Sequence, residues 1–305
     1  MTTAAPAIAQ AAGTVSPFFI NGATRTGQLH LATGEHQGTG NQDCFGYREL
    51  PRGIVAVTVD GCGSTPDSAT GAKAAVRIIL NIAEQLLARD PIPSPEECAK
   101  LIQDEVLKRI LASATPIARD GDVDSLNGIL FQSYLFTLLI TIVTPTWTAI
   151  LGCGDGFYAV NDTLSQISPR PDNQPEYLTY RAFSPPPKGF ETVQLKVLKV
   201  VDDVLGVKSI MLGTDGVEPL KTPRAYKTGM VTLVDLWTRP EFREPEALMA
   251  MLTAVTEPQM MLVPEERPGG AILVKPVYRP NPCDDDVTMV VLVRNPAVSL
   301  PQAWV

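Results

Sequence analysis

Ile54-Val55-Ala56-Val57-Thr58-Val59-Asp60-Gly61 is the stretch that decides how this chain folds. Its six consecutive apolar or β-branched residues suit a buried strand and are too few for a helix, and Asp-Gly is a favoured turn at a strand tip. Asp67 or Ser68 is then placed to cap a helix. From Ala72 onward Val76, Ile79, Leu80, Ala83, Leu86 and Leu87 return every three or four positions, one apolar face of a helix that must stop before Pro91. Ser94-Pro95-Glu96-Glu97 is a capping box with proline at the first helical position. Leu101, Ile102, Val106, Ile110 and Leu111 supply the buried stripe of that second helix.

Beyond the helical pair, residues 134–143, 147–153 and 157–160 read as strands joined by a Thr-Pro turn and by Gly154-Asp155-Gly156, the spacing of an antiparallel meander. Residues 194–201 and 209–212 add two strands, 244–255 a helix and 287–293 a last strand. The Pro-rich stretches 162–192 and 256–282 read as irregular surface excursions. Strands interrupted by a helical pair predict an α+β fold, a two-sheet antiparallel β-sandwich covered by helices; a parallel α/β sheet would alternate strand and helix throughout. Residues 1–16 are expected to be a flexible tail, 17–297 the folded domain and 298–305 a C-terminal tail.

The 305 residues are 45% hydrophobic and 19% charged, enough for a full-sized core. Asp plus Glu outnumber Lys plus Arg 33 to 25, and the net charge of -8 argues against nucleic-acid binding and leaves carboxylates to find cations. No apolar run reaches the roughly 18 residues of a membrane helix, so no membrane partner is expected. The Ala- and Thr-rich N-terminus has no basic segment ahead of an apolar block, so no secretory signal is expected. Five widely spaced cysteines without a CxxC pair fit neither a disulfide framework nor a zinc finger, and point to a reducing cytoplasm. A dinucleotide-binding loop after Asp60 fails because Pro66 stands where the third glycine belongs. With two histidines in the chain, a Ser-His-Asp hydrolase could be built only around His30 or His36.

Asp60, Asp155, Asp215 and Asp285 each stand at one end of an apolar strand, and Asp43, in Asn41-Gln42-Asp43, precedes the first. Singly, each reads as a turn residue. Drawn to one rim, they repel one another unless cations lie between them. Oxygen donors without histidine or cysteine select Mg or Mn over Zn or Cu.

Five segments carry a family resemblance: Asn41-Gln42-Asp43; Val57 to Ser64 with Gly71-Ala72 opening a helix; Leu151-Gly152-Cys153-Gly154-Asp155-Gly156; Leu212-Gly213-Thr214-Asp215-Gly216; and Asp285-Asp286-Val287-Thr288. In order and spacing the set resembles the metal-dependent type 2C serine/threonine protein phosphatases, especially their compact prokaryotic branch. The resemblance implies α-β-β-α layers and hydrolysis of phosphoserine or phosphothreonine in a protein. It implies two Mn or Mg ions per chain, with a metal-bridging hydroxide as nucleophile and no covalent intermediate. Carried over by residue, Asp60 bridges both metals, the Gly61 carbonyl binds one, and Asp215 and Asp285 bind the other. Asp43 holds metal-bound waters and acts with Asp60 in catalysis, while Asp155 serves a weaker third metal. A phosphoprotein substrate and a companion Ser/Thr kinase are the implied partners.

The chain departs from the family where an arginine, five residues before the aspartate matched by Asp43, grips the substrate phosphate. Gly38 stands there, leaving His36 as the substrate-binding candidate and Arg48 as the alternative. Cys62 follows Asp60-Gly61 where many animal relatives carry histidine, and Pro219 replaces an acid useful to a third metal. Cys44, Cys62, Cys153 and Cys283 lie beside the motifs, either as small residues packed at tight turns or as redox-sensitive thiols, Cys62 first. The alternative function is a weak or inactive phosphatase-like module that binds phosphoprotein or metal in a kinase signalling system.

Overall fold

A computed structural model describes residues 16–30, 39–171, 174–221, 224–226, 229–256, 259–266, 272–279 and 283–298. The two expected tails apart from Ser16 and Val298, together with His36 and Gly38, lie outside the described residues.

Two five-stranded antiparallel sheets face each other. The chain enters through β1 (Phe18–Arg25), β2 (Cys44–Leu50) and β3 (Gly53–Gly61), then forms α1 (Ser68–Leu87), α2 (Pro95–Ala114) and α3 (Val123–Ser133). The strands β4 (Phe136–Val143), β5 (Thr148–Cys153), β6 (Gly156–Val160), β7 (Thr163–Ile167), β8 (Lys196–Val201) and β9 (Ser209–Gly213) follow. Two hairpins, β10 (Arg224–Tyr226) with β11 (Gly229–Val231) and β12 (Gln259–Glu266) with β13 (Ile272–Arg279), bracket the short α4 (Asp235–Thr238) and α5 (Pro245–Thr256). Strand β14 (Val287–Arg294) closes the fold. One sheet is ordered β2-β3-β4-β5-β8 and the other β1-β14-β9-β6-β7.

β3 shows why the layers form. Side chains alternate across a strand, so Val55, Val57 and Val59 join one core cluster with Val76, Ile79, Ala83 and Leu86 of α1. Ile54 and Ala56 point the other way, into a cluster with Ile210 and Leu212 of β9 and Val290 and Leu292 of β14. Both faces are covered, which is why this antiparallel strand reads as an unbroken apolar run. A third cluster packs α4 and α5, through Trp237, Leu248 and Leu252, onto Met289 and Val291 of the second sheet. The order is therefore helices, sheet, sheet, helices.

Both helix starts sit where expected, by different means. Ser94 accepts the Glu97 backbone N–H at 3.2 Å, with Pro95 at the first position. Asp67 occupies the cap position of α1, but its side chain bonds Thr70 and Ser133 instead of a helix N–H.

Three expectations are corrected. The meander breaks after β5: β6 pairs with β7 and β9 in the opposite sheet, because the Gly154-Asp155 step carries the chain across. The stretches read as irregular contain β7 and the β12–β13 hairpin. Helix α3 follows the expected pair, and it carries no legible apolar stripe because only Leu130 is buried while Val123 and Phe131 are exposed.

Candidate metal centre

Asp60 lies on the face of β3 shared by Ile54 and Ala56, so its carboxylate reaches the gap between the sheets at their rim. The β3–β4 register sets it opposite Thr137. Asp155 sits at the crossing between sheets, flanked by Gly154 at φ +105° and Gly156 at φ +123°, backbone that favours glycine. A Cβ on Gly154 would fall 2.4 Å from that of Thr137, so the corner closes only on hydrogen.

β9 leads through Thr214 to Asp215, and β14 starts just after Asp285. These ends meet backbone to backbone: a Cβ on Gly216 would lie 1.9 Å from the Asp286 carbonyl oxygen. Asp43 enters from the start of β2. Its Oδ2 accepts the Thr214 hydroxyl at 2.9 Å, and the Thr214 Oγ1 in turn accepts the Thr288 N–H at 3.1 Å.

The electrostatics show that these acids share one space. Burial, then the charge of Asp286, raises Asp43 well above the usual carboxylate range, and Asp43 and Asp60 are close enough to share a hydrogen bond. Burial, then Asp43, Asp215, Asp285 and Asp155, raises Asp60 likewise. Burial and Asp285 raise Asp215. Burial and Asp215 lift Asp155 to about 7. Four carboxylates, Asp43 and Asp155 buried and Asp60 and Asp215 half-buried, thus resist one another's ionisation, and Asp155 Oδ1 is buried without a hydrogen-bond partner.

Concentrated negative charge, an orphaned carboxylate oxygen and an all-oxygen donor set fit hard divalent cations. Among the described residues no three His, Cys, Asp or Glu side chains are arranged to hold one ion. The fit is therefore to ions for which water completes much of the shell, the usual state of Mg.

Asp285 keeps a half-exposed side chain beside this group, 52% accessible, and its neighbour does what the sequence did not announce. Asp286 is buried and accepts the N–H groups of Gly27 at 2.8 Å and Gln42 at 2.6 Å and bonds His30 Nδ1 at 2.8 Å. It ties the β1 exit, the approach to Asp43 and the β14 entry together. Burial lowers the His30 pKa, but the bond to Asp286 and the charges of Asp286 and Asp285 outweigh it, and the net shift is upward. In the sequence only the run Asp284-Asp285-Asp286 hints at Asp286, and His30 stands out solely as a hydrolase histidine.

Arg48 does not reach the rim. It turns toward α1, pairing with Glu84 and with Asn81 at 3.2 Å, so it is no substitute for the arginine absent at Gly38. Cys98, Cys153 and Cys283 are buried and Cys44 and Cys62 partly so. Burial raises the Cys44 and Cys153 thiols, which suits packing more than reactivity. Cys62 Sγ lies 3.2 Å from Ser64 Oγ, and the buried Tyr177 bonds to it from the segment between β7 and β8.

A family profile described as Protein phosphatase 2C matches residues 32–254. No curated protein matches the sequence. Among solved structures, the serine/threonine phosphatase Stp1 of Staphylococcus aureus is similar at 14% identity and a TM-score of 0.50, over 95% of this chain and 100% of that one. PppA of Pseudomonas aeruginosa, a key regulatory component of T6SS, is similar at 13% identity and a TM-score of 0.51, over 92% and 99%. A C. elegans sex determining protein reaches a TM-score of 0.54 at 13% identity, over 96% of this chain and 68% of its own. At such identities the structures speak for the fold, two antiparallel sheets between helices, and the profile, spanning well over half of the sequence, speaks for descent: the chain belongs to the protein phosphatase 2C family.

Proposed function

We propose that this chain is a phosphoprotein phosphatase that hydrolyses phosphoserine or phosphothreonine at a binuclear Mn or Mg centre. The observation that carries the reading is the set of mutually repelling carboxylates, Asp43, Asp60, Asp155 and Asp215, that two sheets deliver to one rim beside Asp285. Asp60 and the Gly61 carbonyl would hold one cation, and Asp60, Asp215 and Asp285 the other, with Asp155 for a weaker third. When bound, such cations supply the Lewis acidity that makes water nucleophilic at neutral pH and the positive charge that offsets the phosphoryl oxygens.

The chain's own residues do the rest. Asp43, fixed by Thr214, orients the attacking water and accepts its proton. Asp60, half-buried at the end of β3, is held by strand register, so its carboxylate needs little reorganisation. His36 remains the proposed phosphate contact. The folded domain is taken as 17–297, and a cytoplasmic location with a companion Ser/Thr kinase completes the reading.

Hydrolysis of p-nitrophenyl phosphate and of a phosphothreonine peptide, each with and without added Mn, tests it. A second reading, a module that binds phosphoprotein or metal without turnover, draws on Gly38 and on the lack of three converging ligands among the described residues. Stoichiometric Mn binding with no turnover on any phosphosubstrate would select it.

A further inference from the structure

Helix α1 lies along β2, the edge strand of its sheet, and both begin at the acid rim. The first residue of α1, Ser68, donates to the Cys62 carbonyl just past Gly61, and β2 starts directly after Asp43. The two elements touch at Gly46, where a Cβ would fall 2.7 Å from Val76 Cγ1 and 3.0 Å from Leu80 Cδ1. Arg48, farther along the same face of β2, pairs with Glu84 and donates to Asn81 at 3.2 Å. Lys73, Arg77, Asn81 and Glu84 follow one another at three- and four-residue spacing, so they share one flank of the helix. The Arg48 contacts show that this flank faces β2. Lys73 and Arg77 are its rim end, and their charges act on the thiol of Cys44, the rim end of β2.

Both cations are exposed, and neither has an ion-pair partner among the described residues. Arg48, Arg52, Arg170 and Arg239, by contrast, each pair with an acid. Helix stability does not account for Lys73 and Arg77, since α1 has no acidic residue in its first turn and cations near a helix start gain nothing from its dipole. The result is a short positive strip beside the carboxylate rim, on a chain whose net charge of -8 otherwise repels acidic segments. A phosphoprotein segment with its phosphate at the rim would carry neighbouring residues over this strip. At about 3.3–3.6 Å per extended residue, those are positions within about three of the phosphorylated one.

We propose that Lys73 and Arg77 form a subsite for acidic side chains flanking the phosphorylated residue, so that the chain prefers phosphoproteins with Asp or Glu next to the phosphosite. The proposal rests on the phosphatase reading and adds to it a determinant of substrate choice. Two competing arrangements make no such selection: the cations grip the hydrolysed phosphate itself, or they meet only solvent.

The test compares two phosphothreonine peptides that differ only in carrying Glu or Ala at the three positions on each side of the phosphothreonine. With Mn present, the parent chain should favour the Glu peptide in kcat/KM by about three- to ten-fold, the worth of two exposed ion pairs. This ratio should shrink toward one in 1 M salt, where the Debye length is about 3 Å. Lys73→Gln combined with Arg77→Gln should bring the ratio to about one, and Lys73→Glu combined with Arg77→Glu should push it below one. Both positions are exposed, so neither pair of changes disturbs the core. A parent without preference for the Glu peptide, or a ratio that stays the same in the variants whether the two rates hold or fall together, overturns the proposal and leaves the phosphatase standing. No turnover of either peptide or of p-nitrophenyl phosphate by the parent overturns both.

Discussion

Asp155→Asn should stabilise the metal-free protein at neutral pH and do far less in acid. The Asp155 carboxyl is 6% exposed, and burial followed by the charge of Asp215 lifts its pKa from 3.8 to about 7. Between those values the folded chain keeps a proton that the unfolded chain has lost. The stability this confers is full below about pH 4 and is lost as pH rises through about 7. At ~1.4 kcal/mol per pH unit the rise amounts to ~4 kcal/mol carried against folding by the ionised group, an upper bound because the neighbouring acids titrate with it. For a chain of 305 residues the entropy of unfolding is roughly 0.6 kcal/mol/K. Asn should therefore raise the Tm by up to about 6 °C at pH 8 in chelator, and by only about 2 °C near pH 4.5. Thermal unfolding of parent and variant across that range reads this directly. Parallel curves, with one constant offset from pH 4.5 to 8, would show that Asp155 is not held against ionisation and refute the reasoning.

Asp60→Asn and Asp215→Asn should each lower kcat by about 100-fold or more at saturating Mn, and wild-type turnover in either would remove that residue from the ligand set. Gly216→Ala should cost at least about 2 kcal/mol in denaturant unfolding, because its Cβ would strike the Asp286 carbonyl; an unchanged midpoint would deny that contact. Gly38→Arg should lower KM for a phosphothreonine peptide about ten- to hundred-fold, the worth of a charge-assisted hydrogen bond to phosphate. An unchanged or higher KM in folded Gly38→Arg protein would mean that the loop is wrongly matched or that another group fills the role.

The sequence made the rim legible because strand parity and turn chemistry are local. Asp60, Asp155, Asp215 and Asp285 stand at the ends of apolar runs, and the structure gathers them with Asp43. Helices α1 and α2 were legible for the same reason, since periodicity and the Ser94 cap are written in consecutive residues. Local signals did not say which sheet each strand joins, so the crossing at Gly154-Asp155 looked like a hairpin. β1 and β2 were hidden by mixed composition: Phe18–Arg25 and Cys44–Leu50 contain glycine and charge, and only pairing with β14 and β3 makes them strands. The Asp286 clamp was illegible because its partners lie more than 240 residues away, and two of them are backbone N–H groups carrying no residue signature.

The most direct measurement is a Mn titration of chelator-stripped protein, following phosphothreonine-peptide hydrolysis and ion binding together. Activity should be absent without metal and rise as two ions bind per chain. Equal turnover in stripped, chelator-treated protein would contradict the two-metal phosphatase.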